Sequence, residues 1–169
     1  MPMSKGIIQP TNRSDDEKKR FLNEYFYYEV CMLLSAVNIL CEFQSLGKEQ
    51  AYKNLAMEHA LVHGRLLREF FYSESRKKDD AHPVDFVSDF NKWKTERPPE
   101  TCLIKKMSQR ANKELMYLTY TRKYGTSQEK EWDFEPIRAD LCKVVKIFLE
   151  NVDTKYWDDP LSEIQQHLS

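Results

Sequence analysis

The stretch from Phe26 to Phe43, FYYEVCMLLSAVNILCEF, decides the fold of this chain. Its apolar residues recur at steps of four, three, four and three, and they are Phe26, Val30, Leu33, Val37 and Leu40. This spacing is the period of an amphipathic α-helix. A second apolar stripe lies beside the first and consists of Met32, Ala36, Ile39 and Phe43. Two adjacent stripes predict a helix that is buried on two sides.

The ends of this helix are also marked in the sequence. Ser14 and Glu17 have the S-x-x-E spacing, in which each side chain binds a backbone N–H that the first helical turn leaves free. We therefore expect the helix to begin there. Gly47 is the natural stop, because glycine readily adopts the left-handed conformation that ends many helices.

A second helix is predicted from about Glu49 to Tyr72. Its buried face consists of Ala56, Ala60, His63, Leu67 and Phe70, and a further apolar group beside that face consists of Leu55, Val62 and Leu66. Gly64 stands inside this helix, where glycine costs about 1 kcal/mol relative to alanine. We therefore expect a neighbouring helix to cross at Gly64.

Three more helices follow along the chain. Phe86, Phe90 and Trp93 predict a short helix whose aromatic face covers one end of the molecule. A third long helix is expected from Ile104 to near Gly125, and a fourth from about Pro136 to Val152.

These elements predict an all-α fold, because no alternating strand pattern appears anywhere in the sequence. The expected architecture is a four-helix bundle of long antiparallel helices with one short extra helix. We expect residues 1–13 to be a flexible N-terminus and residues 14–152 to form the bundle domain. Residues 153–169 are expected to be a C-terminal tail with room for one short helix.

Composition narrows the class of function. The 169 residues include 26 Lys plus Arg and 27 Asp plus Glu, so the net charge of −1 gives no overall attraction for nucleic acid, and any anion site must be a local patch. The four glycines are too scattered for a Gly-rich phosphate loop. No signal-peptide core and no run of about eighteen uninterrupted apolar residues is present. We expect a cytoplasmic protein with no membrane partner.

Two histidines in the second helix are candidates for chemistry. His59 and His63 are four residues apart on one helical face, a spacing that lets two imidazoles share a metal ion. A zinc site also needs a third protein ligand, and no third ligand is marked by spacing, so we expect no metal and no other cofactor. His63 stands among apolar neighbours, which is typical of a buried histidine with one hydrogen-bond partner. The functional alternative is a catalytic or ligand-binding group.

The third helix carries a polar stripe that could bind a phosphate backbone. The stripe consists of Arg110, Lys113, Glu114 and Tyr117 at helical spacing, and Tyr120 and Arg122 extend it with an aromatic ring and a cation. Such a mixture suits stacking and charge neutralisation on single-stranded nucleic acid. The alternative is an ordinary solvated helix face.

A resemblance makes this interpretation more specific. The segments that carry it are NLAMEHALVHGRLLREFFY from Asn54 to Tyr72, Lys78-Asp79-Asp80, Arg97-Pro98-Pro99, and RANKELMYLTYTR from Arg110 to Arg122. Together they resemble an uncharacterised bacterial helical-bundle family similar to the HEPN superfamily. The resemblance implies a small helical bundle that forms a homodimer, binds RNA or nucleotide, and belongs to toxin–antitoxin or antiphage systems, with an antitoxin as partner.

The resemblance also implies candidate catalytic residues. Many such proteins cleave RNA without a metal ion, using an arginine that precedes a histidine on one helix. Arg110 matches that arginine, whereas Tyr117 stands where the histidine is expected. A tyrosine, with an ordinary pKa of about 10, transfers protons poorly near neutral pH. His63 and Arg65 of the second helix could supply the missing imidazole and a further cation, or the protein binds RNA without cutting it.

A different class of function remains open, that of a noncatalytic protein-interaction module. Its docking surface would be the aromatic group Phe86, Phe90 and Trp93, or the run Tyr25-Phe26-Tyr27-Tyr28.

Overall fold

A computed structural model of the chain describes residues 9–45, 50–75, 77, 79–114 and 133–168. Its helices are α1 (Asp15–Arg20), α2 (Tyr27–Ser45), α3 (Gln50–Tyr72), α4 (Phe90–Glu96), α5 (Cys102–Glu114), α6 (Phe134–Asn151) and α7 (Asp159–His167). A π-helical segment, Phe21–Phe26, joins α1 to α2, and two 3₁₀ turns span Pro83–Asp85 and Thr154–Tyr156. Within these ranges there is no β-strand, only an isolated bridge between Val87 and Val152. The fold is all-α, as the sequence predicts.

The first helix begins where the capping residues predict. The Glu17 backbone N–H donates to Ser14 Oγ at 3.2 Å, and the Ser14 backbone N–H donates to Glu17 Oε2 at 3.0 Å. The helical path then continues through the π segment into α2. Its predicted stop at Gly47 lies outside the described residues, and helical structure extends at least to Ser45.

Helices α2 and α3 form an antiparallel hairpin. Tyr28 near the start of α2 packs edge-on against His63 in the second half of α3, and Phe43 near the end of α2 packs against Tyr52 at the start of α3. The residues of the first apolar stripe of α2 are all buried, and so are the five residues predicted for the buried face of α3. These predictions are confirmed.

The apolar groups beside those stripes are less buried. In the second stripe of α2, Ala36 is buried and Met32 and Phe43 are half-buried, so the prediction of a second buried side holds only in part. Ile39 is 41% exposed, and on α3 Leu55, Val62 and Leu66 are 64%, 42% and 47% exposed. Helical periodicity identifies the apolar side of a helix but does not say whether a second helix covers it. In this chain the outer side of the hairpin remains exposed.

Gly64 is the place where α5 crosses α3, as predicted. A Cβ atom built on Gly64 would lie 2.9 Å from Met107 Sδ of α5 and 3.6 Å from Leu141 Cδ1 of α6. Arg68, one turn later in α3, donates to Glu100 just before α5 at 2.7 Å. The later residue of α3 thus contacts the earlier residue of the α5 region, so the two helices run antiparallel.

An aromatic cluster fills the centre of the core. The Phe148 ring of α6 lies 5.2 to 5.5 Å from four other rings, which are Phe26, Phe70, Phe71 and Trp93. Trp93, on the short helix α4, is buried in this cluster. Phe86 is buried as well, although it precedes α4, and Phe90 is half-buried. The proposed docking surface on Phe86, Phe90 and Trp93 is therefore wrong, because these rings are already covered by the core.

Both ends of the described chain contact the same core. Thr11 donates to Asp85 Oδ1 through its backbone N–H at 2.7 Å. In the C-terminal tail, Tyr156, Leu161 and Ile164 are buried in the core cluster, and the last two belong to α7.

The long first helix passes a simple test for a membrane span. By length and composition alone, Asp15–Phe43 could cross a bilayer, and 33% of its most apolar window is buried. The core helix of a folded protein passes the same test. Here α2 packs against α3, α6 and α7, so its buried stripe already has protein partners.

We expect Gly64→Leu to destabilise the fold by about 1–3 kcal/mol, because the new side chain must displace Met107 and Leu141 from a close-packed crossing. Urea denaturation followed by circular dichroism measures the change. Asn54→Leu, at an exposed position of the same helix, is the control and should change stability by less than about 0.5 kcal/mol. Equal stability of the two variants would contradict the close crossing.

A second prediction concerns pH. Asp15 accepts hydrogen bonds from Tyr156 Oη at 2.8 Å and from Lys155 Nζ at 3.0 Å, and these bonds hold its pKa below the usual value. A lowered folded-state pKa stabilises the fold at pH values above the unfolded-state pKa of about 4 and stops doing so as pH falls through the folded-state pKa. Thermal unfolding between about pH 6 and pH 2 should show a smaller acid-induced loss in Asp15→Asn than in the original protein. Identical pH profiles of the two proteins would contradict this stabilising role of Asp15.

Candidate functional site

A buried imidazole and a carboxylate face each other across the α2–α3 hairpin. His63 Nδ1 lies 2.6 Å from Glu29 Oε2, which is the distance of a strong hydrogen bond. The His63 side chain is 7% exposed, whereas that of Glu29 is 25% exposed. An ionised carboxylate only accepts hydrogen bonds, so Nδ1 is the ring nitrogen that carries the proton in this contact with Glu29.

Two further rings surround this pair. The His59 ring centroid lies 4.6 Å from that of His63, and the Tyr28 ring packs edge-on against His63 at 5.7 Å. His59 Nε2 is buried, and no described group forms a hydrogen bond with it. Glu29, His59 and His63 therefore form a compact acid–base cluster at one level of the hairpin.

The helical repeat explains why these residues meet. His59 and His63 are one turn apart, so their rings stack along the side of α3 that faces α2. Glu29 lies next to Tyr28 on α2, at the level where the antiparallel pairing brings α2 opposite His63. Its carboxylate supplies the one hydrogen-bond partner that the sequence predicts for a buried His63.

The α5 helix carries positive charge along its exposed side. Arg110 lies one turn beyond Met107, which touches Gly64, and the antiparallel direction of α5 places this turn at the level of Ala60. Arg110 is half-buried, whereas Lys105 and Lys106 are exposed. The first twelve residues of α5 contain four cations and no carboxylate. This stretch is a local basic patch on a chain whose net charge is −1.

The other predicted site residues fall into two groups. Arg65 is half-buried on α3, and its Nε is buried without a hydrogen-bond partner among the described residues. The backbone of Lys113 belongs to α5, but its side chain and the whole of Tyr117, Tyr120 and Arg122 lie outside the described residues. His63 lies in the α2–α3 hairpin and Arg65 follows it on α3, whereas Arg110 lies on α5, one turn from the Met107 side chain that packs at Gly64.

Arg68, a cation on the polar side of α3, has a structural role. Its guanidinium binds Glu100 at 2.7 Å and Glu69 at 3.1 Å, so it ties α3 to the segment that precedes α5. A ligand would have to compete with both carboxylates for this cation.

No group of three or more His, Cys, Asp or Glu side chains suited to a metal ion is found in the parts of the chain that the structure describes. His59 and His63 do approach each other, but the carboxylate beside them binds His63 through a ring nitrogen.

A separate pocket of about 280 Å³ opens between α1 and the segment that leads to the first 3₁₀ turn. Phe21 and Phe86 supply apolar wall, while Arg13 and Asp79, which form a 3.3 Å ion pair, lie at its edge. Its lining holds three cations and four carboxylates, so this pocket offers little excess of one charge to a ligand.

Two features of the site were missed by sequence reasoning. Glu29 lies within a strongly apolar stretch, and an isolated carboxylate there signals a buried polar partner. Lys106 precedes Arg110 by one turn and Lys113 by two, so the basic stripe of α5 begins earlier than predicted. The i, i+4, i+7 spacing of these three cations could have identified it.

No family model, curated protein or solved structure matches this chain.

We expect the Glu29–His63 hydrogen bond to contribute to stability. In a double-mutant cycle with Glu29→Ala and His63→Ala, the coupling energy should be about 1.5–3 kcal/mol, because each single substitution leaves the other polar group buried without a partner. Urea unfolding of the four proteins gives this value. The exposed Arg20–Glu24 pair at 2.9 Å is the control, with an expected coupling below about 0.5 kcal/mol. Equal couplings would show that the buried pair is energetically unimportant.

Proposed function

We propose that this chain binds RNA or a nucleotide through α5 and the neighbouring side of α3. The observation that carries the proposal is the basic stripe of α5, where exposed Lys106 precedes Arg110 and Lys113 at helical spacing. Three cations at helical spacing on one helix fit a phosphate backbone. Arg65 on α3 adds a guanidinium with an unsatisfied Nε.

We further propose that the histidine cluster supplies proton transfer for metal-free RNA cleavage. His63 is oriented by Glu29, and His59 beside it is more exposed, so the two rings could serve as a base and an acid. In that reaction the ribose 2′-oxygen gives its proton to the base and attacks phosphorus. The bond to the 5′-oxygen then breaks as that oxygen takes a proton from the acid, which leaves a cyclic phosphate and a 5′-hydroxyl. In this role the two histidines replace the histidine that the resemblance leads one to expect at the position of Tyr117.

The resemblance to HEPN proteins belongs to the same proposal. A four-helix bundle built from α2, α3, α5 and α6, a cytoplasmic location and an antitoxin partner are what that resemblance implies. The mutual packing of these four helices supports the bundle. Charge on α5 and acid–base groups on the hairpin support the functional part.

RNA binding is tested by fluorescence anisotropy with a short single-stranded RNA. We expect binding that weakens as salt rises, and we expect Lys106→Ala/Arg110→Ala to make the slope of log K against log salt shallower by about 1.4, since each lost phosphate contact removes about 0.7. Lys143→Ala/Lys146→Ala on α6 is the matched control, because it removes two exposed lysines elsewhere. Binding that is absent at low salt, or equally reduced in both double variants, would rule out α5 as the binding site.

Cleavage is tested separately, with an excess of chelator. We expect His63→Gln to reduce the rate of RNA cleavage by at least about 100-fold while RNA binding is unchanged, because the substitution removes the titrating ring but leaves α5 intact. His82→Gln is the control, since His82 is equally buried but lies in the segment between α3 and α4. If the original protein does not cleave RNA, the catalytic part of the proposal fails and the binding part remains to be judged by anisotropy.

A noncatalytic interaction module is the second candidate function. The observation that favours it is the exposed apolar outer side of the α2–α3 hairpin, because exposed apolar patches of this kind often mark protein interfaces. Of the aromatic run proposed for docking, Phe26 is buried and Tyr27 donates to Glu163 at 2.9 Å, which leaves Tyr25 and Tyr28 exposed.

A further inference from the structure

The pocket between α1 and the segment before the first 3₁₀ turn has no role in the proposed function. Its volume of about 280 Å³ equals that of roughly nine water molecules at about 30 Å³ each, which is room for one substituted six-membered ring. The lining contains no residue of α5, and it does not include Glu29, His59 or His63. An inference about this pocket therefore does not depend on RNA binding.

One wall of the pocket is aromatic. The Phe21 ring stacks on the buried Phe86 ring, with 5.4 Å between the centroids and 16° between the planes. The Tyr25 ring lies 6.0 Å from that of Phe21, and Tyr25 is 55% exposed. An exposed ring beside a buried pair gives a ligand an apolar surface on which a flat group can pack. This wall favours a ligand with an aromatic body.

The π-helical segment Phe21–Phe26 brings both half-exposed rings to this wall. Phe21 is its first residue and Tyr25 is its fifth, and both line the pocket. The segment contains neither proline nor glycine, so no helix-breaking residue accounts for its wider turn. Turns of this kind are rare and are frequent at functional sites. The pocket wall thus has a backbone feature that is typical of ligand sites.

The charges of the lining indicate the charge of the ligand. Arg20, one of the three cations, already binds Glu24 at 2.9 Å, and Glu24 lies outside the lining. The other two cations face four carboxylates within the lining, so the pocket has no surplus of positive charge. A ligand with one positive charge balances the excess of one carboxylate over the three cations. The carboxylates are Glu17, Asp79, Asp80 and Asp85.

Two of these carboxylates share one guanidinium. Arg13 binds Glu17 at 3.1 Å and Asp79 at 3.3 Å, so a ligand would have to compete with Arg13 for either of them. The choice between the remaining two, Asp80 and Asp85, follows from their burial.

Asp80 is the carboxylate that a ligand can reach. Asp85 is buried and accepts the Thr11 backbone N–H, which ties the N-terminal segment to the pocket wall. Asp80 is exposed and accepts the Lys77 backbone N–H at 2.8 Å. An ionised carboxylate has about four lone-pair sites, so Asp80 can accept a ligand's ammonium group in addition to this backbone donor.

We propose that this pocket binds a small organic monocation that carries one aromatic ring. The ring packs against Phe21 and Tyr25, and the ammonium group donates to Asp80. A ligand of the same size with a carboxylate in place of the ammonium group is excluded, because it would bring a second negative charge to Asp80.

An NMR titration of the full chain with 2-phenylethylamine tests the proposal. We expect saturable shifts of the backbone amide signals of the lining residues, with a Kd of about 1 mM or below, which a ligand of this size can reach. The matched controls are 2-phenylethanol and phenylacetate, which keep the ring and replace the cation by a neutral or a negative group. Each should bind at least about 10-fold more weakly, because a charge-assisted hydrogen bond is lost.

Two outcomes of this titration overturn the proposal. One is the absence of a saturable shift with the amine at about 10 mM, a concentration that would fill most of a site with millimolar Kd. The other is equal binding of the amine, the alcohol and the carboxylate, because the pocket would then not select a cation.

Substitutions at the two contact residues locate the site. Asp80→Asn and Tyr25→Ala should each raise the Kd for 2-phenylethylamine by about 10-fold or more, since one removes the charge and the other the packing surface. Both side chains are exposed, so the helical circular dichroism should not change. The matched controls, Asp16→Asn and Tyr52→Ala, alter an exposed carboxylate and an exposed tyrosine outside the lining and should leave the Kd unchanged. Equal Kd values for Asp80→Asn and Asp16→Asn would overturn the assignment of the amine to this pocket.

Discussion

The close packing around α3 is the constraint on which the rest of the structure depends. Ala56, Ala60 and Gly64 follow one another at intervals of four on its buried side, so one strip of the helix has almost no side-chain bulk. Neighbouring helices can approach this strip closely, and Met107 fills the space that a Cβ of Gly64 would need. Contacts with α3 fix the positions of both α2 and α5. These contacts therefore decide which side chains of α2 and α5 face α3.

The site is a consequence of that register. Antiparallel packing of α2 brings Glu29 to His63, and the Gly64 crossing brings the turn of α5 that holds Arg110 to the level of Ala60. Acid–base groups therefore lie within the hairpin, while cations lie on the helix that crosses it. The same hairpin also carries exposed apolar side chains, among them Leu55, Val62 and Leu66 of α3.

Sequence reasoning located the helices well and their surroundings less well. The capping residues Ser14 and Glu17 and the buried position of Gly64 follow from local chemistry, and the structure agrees with each. Ile39 was assigned to a buried side of its helix and is exposed, because a periodic pattern records polarity and not the presence of a neighbour. Phe86 and Trp93 show the opposite error. They were considered as an exposed docking surface, but other parts of the same chain bury both rings.

The sequence by itself determined the all-α class, the start of the first helix, the buried stripes and the crossing at Gly64, since each depends on interactions within a few turns of one helix. Only the tertiary structure decided that Glu29 is the partner of His63, thirty-four residues away, and that the apolar outer side of the hairpin has no cover within the described chain. The physical reason is that helical periodicity fixes the angle of a side chain about its own axis. The identity of what it meets depends on how two helices slide and rotate against each other.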